Sequence, residues 1–411
     1  MPDTLGMQYP DIRNVCRSRL SIGLAASLFC VSGVAAQVPA TDNFPSCVAG
    51  LRQASLAAGV AGETFDAIAP SLTPNDVLHF QTEQPEFHTA VWDYMAGLVD
   101  DERVSDGKAK YREWGTALKS IQSRFGVDAS ILVAVWGVES DYGKTFGLRP
   151  IVQSLATLSC YGRRPDYFKS EFVAALKILQ AGDAAPDRFN GSWAGAFGHT
   201  QFMPSTFLRN AVDIDGNGHP NIVDSVPDAL GTTANYLRKS GWVPGVVWGY
   251  EVKLPPGYSG PSGRKNRHPP AFWSAKGIMK ADGGPLTGAD VGLLLPAGPQ
   301  GPAFLVTRNF DAIYAYNAAE VYALAIASLS DRIEGAGSFV TPWPVDDPGL
   351  SRIDRREVQT RLQAKGYAIG NTDGVMGVKT LEAIADYEGR VGLPANGRAS
   401  QKLLQALRDG R

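Results

Sequence analysis

Cysteine, histidine and net charge are all scarce in this 411-residue sequence. Four Cys in so long a chain exclude a disulfide-dense scaffold. Of the five His, His79, His88 and His268 have no Cys or carboxylate at ligand spacing and read as surface or satisfied histidines. Charged residues make up 19% of the chain and nearly cancel, to a net −2. There is therefore no basic excess of the kind that nucleic-acid binding requires. Beyond the N-terminus no apolar run approaches membrane-spanning length. What is plentiful is core material: 44% hydrophobic residues, with 45 Gly and 27 Pro. That composition rules out disorder, collagen and coiled coil as whole-chain descriptions, and the length suits two or three domains.

Residues 1–36 read as an export signal. Arg13, Arg17 and Arg19 precede an apolar stretch from Leu20 to Ala36, which ends in small residues before a cut. Met7 is an alternative start. The run is too short and too rich in Gly, Ser and Ala for a membrane anchor. The bulky Phe29 before Cys30 speaks against a lipoprotein cut. Export would leave Cys47 and Cys160 in a compartment where disulfides persist. A bridge between them is the expected state, and two buried thiols the alternative.

The rest divides into a long helical body and a short tail. Residues 43–125 look helical, with Asp106 to Ser123 as one amphipathic helix. Asp128 is placed to cap the next helix. Further helices are expected over Glu171–Gln180, Val226–Lys239 and Asn317–Ile333. Residues 251–303 are rich in Pro and Gly and read as loops with short strands inserted in the α-rich body. A Pro-rich linker follows at 341–350. The tail, 351–411, has the periodicity of three short helices.

One carboxylate stands out. Read as a helix before a Gly stop, the segment Ile131 to Gly143 puts Ile131, Val135 and Glu139 on one apolar stripe, with Glu139 at its C-terminal end. Desolvation and the negative end of the helix dipole both favour a protonated Glu139, as a general acid needs. Asp141, at i+2, is on a different face. A core Glu satisfied by an Arg is the alternative on these residues alone. Two further segments carry polar and aromatic groups suited to sugars: 191–207, with Ser192 and Gln201, and 308–322, with Tyr316, Asn317 and Tyr322.

Together these segments resemble the lytic transglycosylase B type of glycoside hydrolase family 103. Glu139-Ser140-Asp141-Tyr142-Gly143 matches its Glu-Ser-x-x-Gly element, and 195–205 matches its Gly-Ala-x-Gly-x-x-Gln-Phe-Met-Pro-Ser block. Tyr316-Asn317, Tyr322, Arg163-Arg164, Pro85-Glu86-Phe87 and Trp92-Asp93-Tyr94 match other elements in order. The resemblance implies a mainly α, lysozyme-like (goose-type/transglycosylase) catalytic domain over 37–340 with a small β/loop insertion. It further implies cleavage of the MurNAc–GlcNAc bond of peptidoglycan without water. Most glycosidases need two carboxylates; here the resemblance offers Glu139 alone, with the MurNAc C6 hydroxyl as nucleophile and a 1,6-anhydro sugar as product. Carried over by motif, Ser192, Gln201, Arg163, Arg164, Tyr94, Tyr236, Tyr316, Asn317 and Tyr322 line the sugar subsites. No cofactor is required. A hydrolytic muramidase and a non-catalytic wall-binding scaffold are the competing expectations.

Residues 213–224 fit an EF-hand loop, with Asp213, Asp215 and Asn217 at successive ligand positions, Gly218 at the sharp turn and His219 after it. Asp224 stands where the bidentate Glu belongs, and Asp228 can complete the set. The expectation is a structural Ca²⁺ or Na⁺ site, or an Asx-rich loop that needs no ion. The tail resembles a three-helix peptidoglycan-binding domain. The implied partners are peptidoglycan glycan strands, with other cell-wall enzymes as a further class, and the implied location is the periplasm, soluble or wall-associated.

Overall fold

The structure, a computed structural model, describes residues 43–82 and 89–410. The export signal and the Pro85-Glu86-Phe87 motif lie outside the described residues. Helix Ala129–Ser140 is the axis of the larger core: ten of its twelve residues are buried. It is apolar all round, not on one stripe, because helices Asp101–Glu113, Gly115–Phe125, Val226–Lys239 and Glu320–Glu334 surround it. Small residues let the closest neighbour approach, and Ser130 Oγ lies 2.9 Å from Ser330 Oγ across that contact. Asp128 does occupy the N-cap, but its carboxylate makes no capping bond; its carbonyl instead accepts from Ile131 N and Leu132 N.

Two expected helices are each broken. Asp106–Ser123 falls within helices Asp101–Glu113 and Gly115–Phe125, which meet at Trp114. Helix Glu320–Glu334 follows a separate helix, Arg308–Asn317, and the two are bent by 119°. Ala318, left-handed at φ 51°, makes that turn. Among the described residues no single helix is long and apolar enough to cross a membrane.

A second core packs helices Phe44–Ala57, Ile151–Tyr161 and Pro165–Ala181 together with Pro204–Asn210. Cys47 and Cys160 are bridged, joining the first two helices across a separation of 113 residues.

The Pro/Gly-rich stretch forms a five-stranded antiparallel sheet. Its strands are β3 (Gly249–Lys253), β4 (Gly263–His268), β5 (Met279–Lys280), β6 (Val291–Leu294) and β7 (Ala303–Val306), with β1 (Arg149–Pro150) and β2 (Asn190–Gly191) forming a separate pair. The sheet order is β4-β6-β7-β3-β5. β6 and β7 are buried on both faces: Leu294, Phe304 and Val306 join the main core, while Leu293 and Leu305 face a small cluster around Trp273. That double burial explains their continuous apolar sequence.

The tail forms three helices, Arg352–Ala364, Val378–Arg390 and Gln401–Arg408, around Leu362, Ile384 and Leu403. It is docked, not loosely tethered. Arg398 Nε and Nη2 each lie 2.8 Å from a carboxylate oxygen of Asp93, a bidentate fork. Arg356 reaches Glu102 at 2.6 Å. Gly349 packs so tightly on Asp93 that a Cβ there would lie 2.6 Å from its carboxylate. Segment 341–350 is held as well, since Lys402 N donates to Asp347 Oδ1 at 2.9 Å. Sequence alone marks the Pro residues of that segment but not its acidic contacts.

Candidate active site

Glu139 is the penultimate residue of helix Ala129–Ser140 and is half-buried at its end. The end of the helix is fixed to the Gly/Ala-rich loop. Ser140 Oγ donates to the His199 carbonyl at 2.6 Å and accepts from Gly143 N at 3.1 Å. Trp136 Nε1 donates to His199 Nδ1 at 3.0 Å. Burial pushes the His199 imidazole down to about 4, so the acceptor nitrogen stays unprotonated at neutral pH. Gly143, at φ 84°, lies against this ring: a Cβ would approach it to 2.7 Å. That contact explains why position 143 must be Gly, although the helix itself already stops at Asp141.

Across the site stands helix Glu320–Glu334. The Tyr322 phenol donates to Glu139 Oε1. Burial, and next the Glu139 charge, raise the Tyr322 phenol well above its usual range; the same two causes act on Tyr316. Both therefore keep their protons and act as donors. Tyr316 donates to the Thr200 carbonyl at 2.7 Å and Tyr236 to the Ala315 carbonyl at 2.6 Å. Their rings form a continuous wall, with Tyr236 and Tyr316 centroids 5.1 Å apart and Tyr316 and Tyr322 stacked at 6.3 Å. Tyr94 belongs to this neighbourhood, since its phenol contributes to the upward push on Tyr322.

Ser192 and Gln201 sit on the loop that holds the helix end. Ser192 Oγ accepts from Ala196 N at 3.0 Å, closing the turn on which Trp193 lies. Gln201 is left-handed (φ 49°), and its amide nitrogen donates to the Gly198 and Phe146 carbonyls at 2.8 and 3.2 Å. Both residues thus shape the loop itself. Asn317 is exposed at the end of helix Arg308–Asn317. Arg163 and Arg164 are exposed at the start of helix Pro165–Ala181, with Arg164 lying 4.4 Å over the Tyr167 ring. None of the contacts above joins these two Arg to Glu139. The stacked pair Phe80 and Trp193, centroids 6.2 Å apart, and Arg149 over Phe80 at 5.0 Å form a further polar–aromatic surface beside Ser192. Phe80 and Arg149 carry no local pattern in the sequence. His199, the hub behind Glu139, was equally invisible there.

In the EF-hand-like loop, side-chain oxygens of Asp213, Asp215 and Asp228 lie within 4.8 Å of one another. Asp228 is fully buried; its Oδ1 accepts from Ile214 N and its Oδ2 from Asn221 N. Asp213 accepts from Gly216 N and Gly218 N, which lowers its pKa. Such a cluster of hard oxygens fits a Ca²⁺-like cation. The other loop residues turn elsewhere. Asn217 Oδ1 accepts from His219 N, the His219 ring lies 3.5 Å from Asp183, and Asp224 pairs with Arg188 at 2.5 Å.

A half-buried carboxylate at a helix end, held by a phenol in an aromatic wall, is an arrangement suited to general-acid chemistry on a sugar. Comparison with known proteins makes the family specific. The transglycosylase SLT domain family profile matches residues 43–331, and the putative peptidoglycan binding domain profile matches residues 351–407. The chain belongs to the transglycosylase SLT family and carries a peptidoglycan-binding domain behind its catalytic one. It is 31% identical over 254 residues to membrane-bound lytic murein transglycosylase B of Escherichia coli K12, spanning 58% of this chain and 66% of that relative. Among solved structures, SltB3 of Pseudomonas aeruginosa in complex with NAG-anhNAM-pentapeptide superposes with a TM-score of 0.71 at 42% identity, covering 89% of this chain and 99% of that one. The lytic transglycosylase Slt35 of E. coli in complex with calcium gives a TM-score of 0.62 at 29% identity, covering 70% of this chain and 92% of that one.

Proposed function

We propose that this chain is an exported lytic transglycosylase that cleaves the MurNAc–GlcNAc β-1,4 bond of peptidoglycan and leaves a 1,6-anhydro-MurNAc end. Glu139 protonates the leaving glycosidic oxygen as general acid, then takes the proton of the MurNAc C6 hydroxyl as that oxygen attacks C1. The sugar supplies its own nucleophile, so one carboxylate serves both steps. The observation that carries this reading is the Tyr322–Glu139 contact, which holds a half-buried carboxylate against a wall of tyrosines. Tyr94, Tyr236, Tyr316 and Tyr322 offer aromatic faces to sugar rings. Ser192, Gln201, Asn317, Arg163 and Arg164 supply polar contacts along the strand. SltB3 in complex with an anhNAM ligand is consistent with such a product.

Residues 1–36 serve as the signal peptide, 37–340 as the catalytic domain, 341–350 as the connecting segment and 351–411 as the wall-binding domain. Action is periplasmic. A Ca²⁺ or Na⁺ ion on Asp213, Asp215 and Asp228 is structural, and the calcium complex of Slt35 agrees with this. The test is mass spectrometry of digested sacculi. Anhydro ends, lost together with all lytic activity in Glu139→Gln, are the expected result. Reducing ends identify a muramidase instead, and undiminished lysis by Glu139→Gln removes Glu139 as the acid.

A further inference from the structure

Arg352 opens the first helix of the C-terminal domain, yet it is only 9% exposed. Its charge is met by the catalytic domain. Arg352 Nη1 lies 2.5 Å from Asp141 Oδ1, Nε lies 3.1 Å from Asp100 Oδ2, and Nη2 lies 3.7 Å from Asp106. Asp141 is the residue that ends the Glu139 helix, in a left-handed conformation at φ 50°. Its carboxylate is also 3.9 Å from Arg103 Nη1, and that same nitrogen donates to the carbonyl of Gly137, in the last turn of the Glu139 helix. Arg103 N in turn donates to Asp100 Oδ1 at 2.8 Å.

Arg352 therefore bridges Asp100 and Asp141, and Arg103 joins the same group through its backbone N–H on Asp100 and its guanidinium beside Asp141, at the end of that helix. Three members come from the catalytic domain and one from the wall-binding domain. Without Arg352, Asp100 would lose its guanidinium partner and Asp141 would keep Arg103 at 3.9 Å; Lys144, 3.7 Å from Asp141, is exposed and already bonded to Asp106. A buried carboxylate that loses its counter-ion forces either its own protonation or a movement of the chain. Here the chain in question is the turn two residues after Glu139.

We propose that Arg352 is a positioning residue for Glu139: the wall-binding domain acts through Asp141 to complete the catalytic helix end. The inference rests on Glu139 being the acid. It is tested with the full chain on a soluble GlcNAc–MurNAc tetrasaccharide, so that affinity for the wall does not enter. Arg352→Met should lower kcat about ten- to a hundredfold, as small misplacements of a catalytic group do, with KM changed by less than about twofold. Arg352→Lys should recover part of the loss, since it restores the charge without the fork. Asp141→Asn is the second variant. Asn tolerates the left-handed turn, and the other interdomain ion pairs stay in place. It should reproduce the fall in kcat, and Arg352→Met/Asp141→Asn should be no worse than the poorer single variant. Unchanged kcat in folded Arg352→Met or in Asp141→Asn overturns the proposal; if Arg352→Met fails to fold, Asp141→Asn decides alone. A fully active Glu139→Gln sinks the underlying assignment, and this inference with it. An inactive Glu139→Gln beside unaffected Arg352→Met and Asp141→Asn sinks this inference only.

Discussion

The Tyr322 phenol donates to Glu139 Oε1 from a helix that begins far along the chain. Burial pushes the Tyr322 phenol well above its usual range, so it stays the donor of this bond at neutral pH. The phenol fixes Oε1 of the carboxyl that, on the proposed mechanism, exchanges a proton with the sugar. A hydrogen bond to a charged group contributes about 1.5–3 kcal/mol. Tyr322→Phe should therefore lower kcat on purified glycan strands roughly ten- to a hundredfold, and lower the melting temperature by a few degrees. Retention of full activity would make the bond incidental.

His199 governs a pH effect on stability. Its folded pKa, about 4, lies below the ordinary 6.5 because burial disfavours the imidazolium. The unfolded chain thus binds a proton between pH 6.5 and 4 that the folded chain refuses. Stability is complete above 6.5 and falls through this window, by roughly 3 kcal/mol at most. Urea unfolding at stepped pH should show the slope in the unaltered chain. In His199→Gln the slope should flatten, although the lost bond from Trp136 lowers stability at every pH.

Asp331 has the opposite sign. Burial lifts its carboxyl to about 6, while Trp248 Nε1, donating at 3.0 Å, opposes the shift. A carboxyl raised above its unfolded value stabilises the fold at low pH and loses that contribution as pH climbs towards 6 and beyond. Asp331→Asn keeps an acceptor for Trp248 and removes the charge. It should raise the melting temperature at pH 7.5 by a few degrees and leave it unchanged at pH 4; no gain at pH 7.5 would contradict the assignment.

The Cys47–Cys160 bridge closes a loop of over a hundred residues. In the chain-entropy account a loop of that size contributes about 4–5 kcal/mol. Cys47→Ser/Cys160→Ser should lose most of this in denaturant titration, while the folded remainder still cleaves glycan.

How much of this was legible in the sequence depends on the range of the interaction. Glu139, Tyr316 and Tyr322 lie in compact motifs and could be named directly, and helix Val226–Lys239 was legible to the residue because Ser225 caps it and Pro227 opens it. Helix Ala129–Ser140 was legible as a helix but not as the axis of the core, since an all-apolar segment hides its surroundings. The double-faced burial of β6 and β7 was hidden among Pro and Gly. His199, Phe80 and Arg149 act through partners distant in sequence, which no local spacing encodes. The same holds for Asp93, whose Arg398 partner lies 305 residues away.

That last pairing bears on how the molecule can be engineered. Two recognisable modules in a row invite cut-and-paste: take the small one as a targeting tag, keep the large one as a minimal catalyst. The fork between Arg398 and Asp93 argues against both operations. A transplanted tail would carry Arg352 and Arg398 stripped of their counter-charges, and a trimmed enzyme would show water a bare acidic seam. Separable in sequence, the halves are not interchangeable parts.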